Sequence, residues 1–421
     1  MESAAETRRA IDAVFRIESP RLIAGLTRMV RDVGLAEELA QDALVTALSQ
    51  WPESGVPRNP GAWLMTTAKR RGIDLIRRRK MADRKHVAVE YEMEMDQEAA
   101  VEALESSIDA PDGDDMLNLM FTACHPVLPT EARLALTLRL LGGLTTEEVA
   151  RAFLVPEPTM AQRIVRAKRA LAEAKVGFEV PRGDERTARI ASVLDVIYLI
   201  FNEGYSATSG SDWIRPQLCE DALRLGRMLA ELAPNEPEVH GLVALMEIQQ
   251  SRAKARIDRN GEPILLNDQD RSRWDQMLIR RGLAALERAA ALGRLAGPYA
   301  LQASIAACHA RARTAADTDW GTIAALYGAL VAIMPSPVVE LNRAVAIGMA
   351  QGPEAGLALA DGLMDVPALK NYHLLPTVRA NLLRQLGRMD EARAEFERAA
   401  GMARSDRERT VLLKEAQSCM N

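Results

Sequence analysis

An all-α chain of several domains is what this sequence predicts, on three observations. Hydrophobic residues make up 48% of the 421 positions while aromatics make up only 4%, so Ala and Leu, residues suited to closely stacked helices, must supply the cores. Apolar positions recur at helical spacing, and Pro and Gly cut the periodic stretches into helix-sized pieces. The length allows roughly two to four domains.

The first element with a readable face is Ala36–Leu48, AEELAQDALVTAL, an amphipathic helix whose acids Glu37, Glu38 and Asp42 are expected outside. The next is Gly61–Lys80, GAWLMTTAKRRGIDLIRRRK. Leu64, Met65, Ala68, Leu75 and Ile76 share one broad face at helical spacing. Trp63, Thr67, Arg70, Arg71, Asp74, Arg77 and Arg78 occupy the other. An aromatic among cations, off the apolar stripe, suits stacking on a base beside a phosphate-binding groove. The same tryptophan can equally pack under a neighbouring loop.

From Glu90 to Asp115 the chain carries eleven acids and no Lys or Arg. Such a like-charge run is expected to be a solvated linker.

Leu144–Leu171, LTTEEVARAFLVPEPTMAQRIVRAKRAL, is the most informative stretch. Thr145 and Glu148 form a capping box, in which a hydroxyl and a carboxylate satisfy orphan amides at a helix start. Val149, Ala150 and Phe153 give that short helix an apolar side. Pro156 breaks it, and Pro158 suits the first turn of a second helix. On that helix Met160, Ile164, Ala167 and Leu171 fall on one stripe; Gln162, Arg166 and Arg169 fall opposite, with Arg163 and Lys168 on the flanks. Helix, turn and basic helix are the layout of a DNA-reading helix-turn-helix, in which Gln pairs bidentately with adenine, Arg with guanine, and later arginines hold phosphates. An ordinary amphipathic helix with a solvated basic face has the same pattern.

After Lys175 the segment Val176–Glu185 reads as a linker. From Thr187 to the end, helical patterns alternate with Pro or Gly breaks. Tyr198–Tyr205, YLIFNEGY, reads as a helix end with Tyr198 and Phe201 in the core and Gly204 as the stop. Leu383–Ala403, LRQLGRMDEARAEFERAAGMA, places Gly387, Ala392, Phe396 and Ala399 at the later small and aromatic positions of a tetratricopeptide repeat. Cys219–Pro237 and Trp320–Pro337 end in similar Pro-closed helices. Their spacing is irregular, so a degenerate helical-repeat array and a plain helical bundle both remain open.

Composition narrows the function. With 53 Lys+Arg against 58 Asp+Glu the net charge is −5 and the pI about 5.8, so affinity for nucleic acid must come from local patches. The charged N-terminus lacks a signal-peptide core, and the longest nearly apolar run, Ile323–Met334, is too short to span a bilayer; a soluble, cytoplasmic protein with no membrane contact is expected. Cys124, Cys219, Cys308 and Cys419 are scattered, so no disulfide framework is indicated. Cys124-His125 and Cys308-His309 lack the spacing of metal ligands. No phosphate loop, nucleophile elbow or paired-acid site occurs, so neither a metal, a cofactor nor catalysis is expected.

Taken together, Ala36–Leu48 with Trp51 and Asn59–Lys80 resemble the second conserved region of the extracytoplasmic-function group of sigma-70 factors, and Leu128–Leu171 resembles the fourth. The resemblance covers about residues 10–175, in the family's order. It implies a region-2 domain over 1–84, an acidic linker over 85–115 and a region-4 domain over 116–176, followed by a tetratricopeptide-like domain over 187–421. It further implies that Glu37, Glu38, Leu39, Gln41, Asp42 and Leu44 dock on core RNA polymerase. Asn59, with Pro60, would capture a flipped base of the −10 element, and Trp63 would wedge the strands apart. Thr66, Lys69, Arg70 and Arg71 would lie along the −10 strand. Thr159, Gln162, Arg163, Arg166 and Arg169 would meet the −35 element.

The linker of such factors threads the basic channels of the polymerase, a second use for the acidic run. Where many members carry a lysine after a Thr-Val pair, this chain reads Thr159-Met160-Ala161-Gln162-Arg163, and Ala161 offers only contact with a thymine methyl. YLIFNEGY and PTMAQRIVRAKRAL resemble signatures of one subgroup, associated with small YCII-like (DGPF-type) proteins rather than a membrane anti-sigma factor. The rival reading is a ligand-sensing helix-turn-helix regulator with a repeat-domain sensor and no polymerase function, which would not need Ala36–Lys80.

Overall fold

The computed structural model describes residues 2–84, 113–153, 155–205, 216–256, 258, 264–293, 297–403 and 406–420. Every regular element among them is helical. Most of the expected linker over 85–115, namely residues 85–112, lies outside the described residues. The chain divides into two compact units, Met1–Ala233 and Pro234–Asn421.

In the first unit, α1 (Glu2–Val30), α2 (Val33–Ser54) and α3 (Pro60–Arg84) pack against one another. Leu22, Leu26, Leu39, Ala40, Ala43, Ala47, Trp51, Leu64 and Ala68 are all at most 3% exposed there. Asp32 caps α2 by accepting from Leu35 N at 2.9 Å. Gly72 lies where α3 passes α1 and α2; a β-carbon there would run into Met29 and come within 3.2 Å of Leu39 Cδ1.

The next four helices are α4 (Gly113–Ala123), α5 (Thr130–Leu140), α6 (Thr146–Ala152) and α7 (Glu157–Glu173). Two more, α8 (Gly183–Tyr205) and α9 (Pro216–Leu232), complete the unit. They pack together and onto α4, and α8 also onto α5. The sequence pattern groups residues 187–233 with the C-terminal half, in a domain over 187–421. In the structure they share a unit with the helix-turn-helix, and Tyr198–Tyr205 is the end of α8, with Phe201 and Gly204 buried. Phe201 stacks on Tyr205 with 5.4 Å between ring centres.

The second unit is a succession of helices: α10 (Pro237–Gln250), α11 (Gln276–Ala291), α12 (Pro298–Arg311), α13 (Trp320–Ile333), α14 (Pro337–Gln351), α15 (Pro353–Asp361), α16 (Leu374–Gln385), α17 (Met389–Met402) and α18 (Asp406–Ser418). From α12 onward each packs on the next, and α10 receives both α11 and α12. Pro opens α10, α12, α14 and α15 within their first turn, where its missing amide costs nothing. Ala392, Phe396 and Ala399 are at most 1% exposed, and Gly387 turns the chain between α16 and α17 at φ 74°. The Arg384 guanidinium lies 5.4 Å from the centre of the Phe396 ring.

Candidate nucleic-acid interface

Helix α7 has the sidedness its sequence demands. Met160, Ile164, Ala167 and Leu171 are its buried residues, at 0–5% exposure. Burial of this stripe leaves Thr159, Gln162, Arg166 and Arg169 exposed, with Arg163 half-buried. The capping box is present in full: Glu148 N donates to Thr145 Oγ1 at 3.1 Å, and Thr145 N donates to Glu148 Oε2 at 2.8 Å. It fixes the start of α6, and hence the turn that presents α7. Arg169 folds back along its own helix onto Glu173 at 2.6 Å. Val165 is 63% exposed on the same outer face as Gln162 and Arg169. Sequence reasoning passed over it, although an apolar residue on the polar side of a periodic stripe is itself a signal.

The second basic face is on α3. Asn59 starts the helix, accepting from Ala62 N at its Oδ1 (3.1 Å) and from Trp63 N at its carbonyl (3.2 Å). Trp63 is half-buried and meets the buried Trp51 edge to face, with 5.2 Å between centroids and 66° between planes. Trp63 is thus anchored by an aromatic of α2 and also partly open. Thr66 and Arg70 are exposed and Lys69 is half-buried. Arg71 reaches across to α2, pairing with Asp42 at 3.0 Å and donating to Thr46 Oγ1 at 2.9 Å.

Of the six α2 residues expected to dock on polymerase, four lie at least partly open: Glu38 and Asp42 are exposed, Gln41 and Leu44 half-buried. Leu39, at 3%, belongs to the core of its own module. Glu37, at 4%, faces the helix-turn-helix. Its Oε1 accepts from Arg139 Nε of α5 at 2.8 Å and from Gln41 Nε2 at 3.0 Å, and its Oε2 pairs with Lys168 Nζ of α7. Arg28 of α1 pairs with Asp115 of α4 at 3.3 Å. Val45, 62% exposed on the outer side of α2 with Asp42, was missed by sequence reasoning.

Of the Cys124-His125 pair, the cysteine is buried and the histidine half-buried. Burial pushes the Cys124 thiol up to about 11, against its hydrogen bond to Thr137. Burial, then the Arg189 charge, lowers His125, whose Nδ1 accepts from Val127 N at 3.1 Å. Among the described residues no group of His, Cys, Asp and Glu is placed to hold a metal ion, and no helix is long and apolar enough to cross a membrane.

Comparison with known proteins covers both helices. Residues 14–81, spanning α2 and most of α3, match sigma-70 region 2, and residues 118–171, ending on α7, match sigma-70 region 4. Residues 189–290 match a family of unknown function, DUF6596. An uncharacterized protein of Rhizobium meliloti (strain 1021) is 44% identical over 394 residues, covering 93% of this chain and 92% of its own length. With a region-2 helix carrying an aromatic among cations and a region-4 helix-turn-helix exposing its basic side, the chain belongs to the sigma-70 family, whose members bind core RNA polymerase and promoter DNA to start transcription.

Proposed function

We propose that the protein is an alternative sigma factor of the extracytoplasmic-function kind whose promoter contacts are divided between α3 and α7. The observation that carries this reading is the pair of basic faces in one chain, each opposite a buried apolar stripe. On α7, Gln162, Arg163 and Arg166 read −35 bases beside Thr159, and Arg169 exchanges Glu173 for a phosphate. On α3, Asn59 receives a flipped base, Trp63 stacks at the edge of the melted strand, and Thr66, Lys69, Arg70 and Arg71 follow its backbone. Glu38, Gln41, Asp42 and Leu44 meet the polymerase. The second unit, tetratricopeptide-like in its last helices, offers a protein-binding surface through which output is adjusted; a small YCII-like protein is the partner that the subgroup resemblance implies.

The test is transcription in vitro with purified core polymerase on promoters selected from a random library. Gln162→Ala and Arg166→Ala should change which −35 bases are tolerated, by about 1–3 kcal/mol at the affected position. Arg169→Ala should weaken all promoters alike and flatten the salt dependence. Tight duplex binding by the protein alone, with no polymerase association, would turn the reading to a simple regulator.

A further inference from the structure

Two helices beyond the region-4 match, α8 and α9, pack onto that module. The carbonyls of Leu141 and Gly142, past the end of α5, have no helical partners of their own. Both are taken by one guanidinium from α9: Arg224 Nη1 donates to Leu141 O at 3.2 Å and Nη2 to Gly142 O at 2.7 Å. Asp221, one turn earlier, lies 3.5 Å from the same Nη2. Two residues on, Leu144 O accepts from Arg139 Nη1 at 2.9 Å, and Thr145 then opens the capping box. The turn is already tight, for Gly143 has φ 69° and a β-carbon on Gly142 would overlap the Leu138 carbonyl.

Helix α8 grips the other end of the same module. Arg189 Nη2 donates to Phe121 O at 2.9 Å, Ser192 Oγ donates to Cys124 O at 2.7 Å, and Arg133 Nη1 donates to Ser192 Oγ at 2.8 Å. The first two cover carbonyls at the end of α4, and the third holds the Ser192 hydroxyl from α5. Helices α8 and α9 are themselves locked together at Gly204, where a β-carbon would fall 2.7 Å from Cys219 N. The hairpin therefore spans the region-4 module from the end of α4 to the root of the helix-turn-helix.

We infer that α8 and α9 are a brace for promoter reading and that Arg224 is the positioning residue through which α9 sets the angle of α6 and α7. The inference rests on the proposed −35 role of α7. It gives the first part of the DUF6596 match, which begins at residue 189, a purpose: its helices α8 and α9 pack on the DNA-reading module. An arginine suits the task because its planar fork spans two carbonyls at once, which an ammonium does less well.

The experiment uses the full chain with core polymerase, on one promoter and on the same promoter with its −35 element scrambled. Arg224→Ala should lower the ratio of the two outputs about five-fold to ten-fold, as expected when two charge-assisted hydrogen bonds are lost. Polymerase binding should be unchanged, and amide exchange should rise over residues 142–148. Arg224→Lys should restore part of the ratio, and Glu220→Ala, on the exposed side of α9, should leave it intact. An unchanged ratio in Arg224→Ala overturns the inference. So does an equal loss on both promoters with a lowered melting temperature, which marks a purely structural residue. A wild-type chain that ignores the −35 element sinks the promoter reading itself rather than the brace.

Discussion

Lys168→Glu should part the region-2 module from the helix-turn-helix. Lys168 Nζ rests on Glu37 Oε2, with side chains 22% and 5% exposed, so water screens the pair only partly. At 4 Å and an effective dielectric constant near 20, a unit pair is worth about 4 kcal/mol, and reversing one charge turns that attraction into repulsion of the same order. Arg139, 2.8 Å from the other carboxylate oxygen, remains and offsets part of it. We expect a net cost to the contact of roughly 2–3 kcal/mol, on the order of 30- to 150-fold in the open population. Dyes on Ser49→Cys and Glu173→Cys, with Cys308 and Cys419 changed to Ser, would report the separation by single-molecule energy transfer; the remaining thiols, Cys124 and Cys219, are buried. Lys168→Met keeps the apolar stem without the charge and should fall between. If the wild-type and Lys168→Glu distributions coincide at both low and high salt, the electrostatic account of this contact is wrong.

Two further outcomes follow from the geometry. Leu39→Asp should unfold the first module, at a cost of several kcal/mol for a buried unpaired carboxylate, whereas Val45→Asp should leave the melting temperature within a few degrees and weaken assembly with core polymerase in gel filtration. His309 is held near pKa 4 by burial and by the Arg252 and Arg271 charges. Its neutral form stabilises the second unit fully above the unfolded value of about 6.5, and that stability, up to about 3 kcal/mol, is lost as pH falls from there toward 4. Urea unfolding followed by tryptophan emission should show this slope, since Trp320 lies 5.2 Å from the imidazole, and His309→Asn should flatten it.

Much of the DNA-reading module was legible because its signals are local. A capping box occupies four consecutive residues, and the stripe of α7 needs only a 3.6-residue period, so Thr145, Glu148, Met160, Ile164, Ala167 and Leu171 stand where the sequence puts them. Gly387, Ala392 and Phe396 were legible for the same reason. What stayed hidden depends on which neighbour a face meets. Glu37 reads as a solvent-facing acid until α5 and α7 bring Arg139 and Lys168 to it. Leu39 sits on a helix that buries a broad face between α1 and α3, and no period tells a docking leucine from a core one. The place of α8 and α9 rests on Arg133, Arg189 and Arg224 bonding to partners 59 to 83 residues away, separations at which a single sequence carries no pattern.

The Glu37 contact has a consequence in simple lengths. The −35 and −10 elements are, by their own labels, roughly 25 base pairs apart, about 85 Å of duplex at 3.4 Å per pair. A compact body of the size of α1–α7 has a radius of gyration near 15 Å, so it measures only about 40 Å across. If α3 takes the −10 element and α7 the −35 element, as proposed, two modules held together through Glu37 and Lys168 are too short to lie on both at once. Engaging a whole promoter must therefore draw the modules apart, leaving Glu37 and Lys168 each with a bare charge for the polymerase or the DNA to take up.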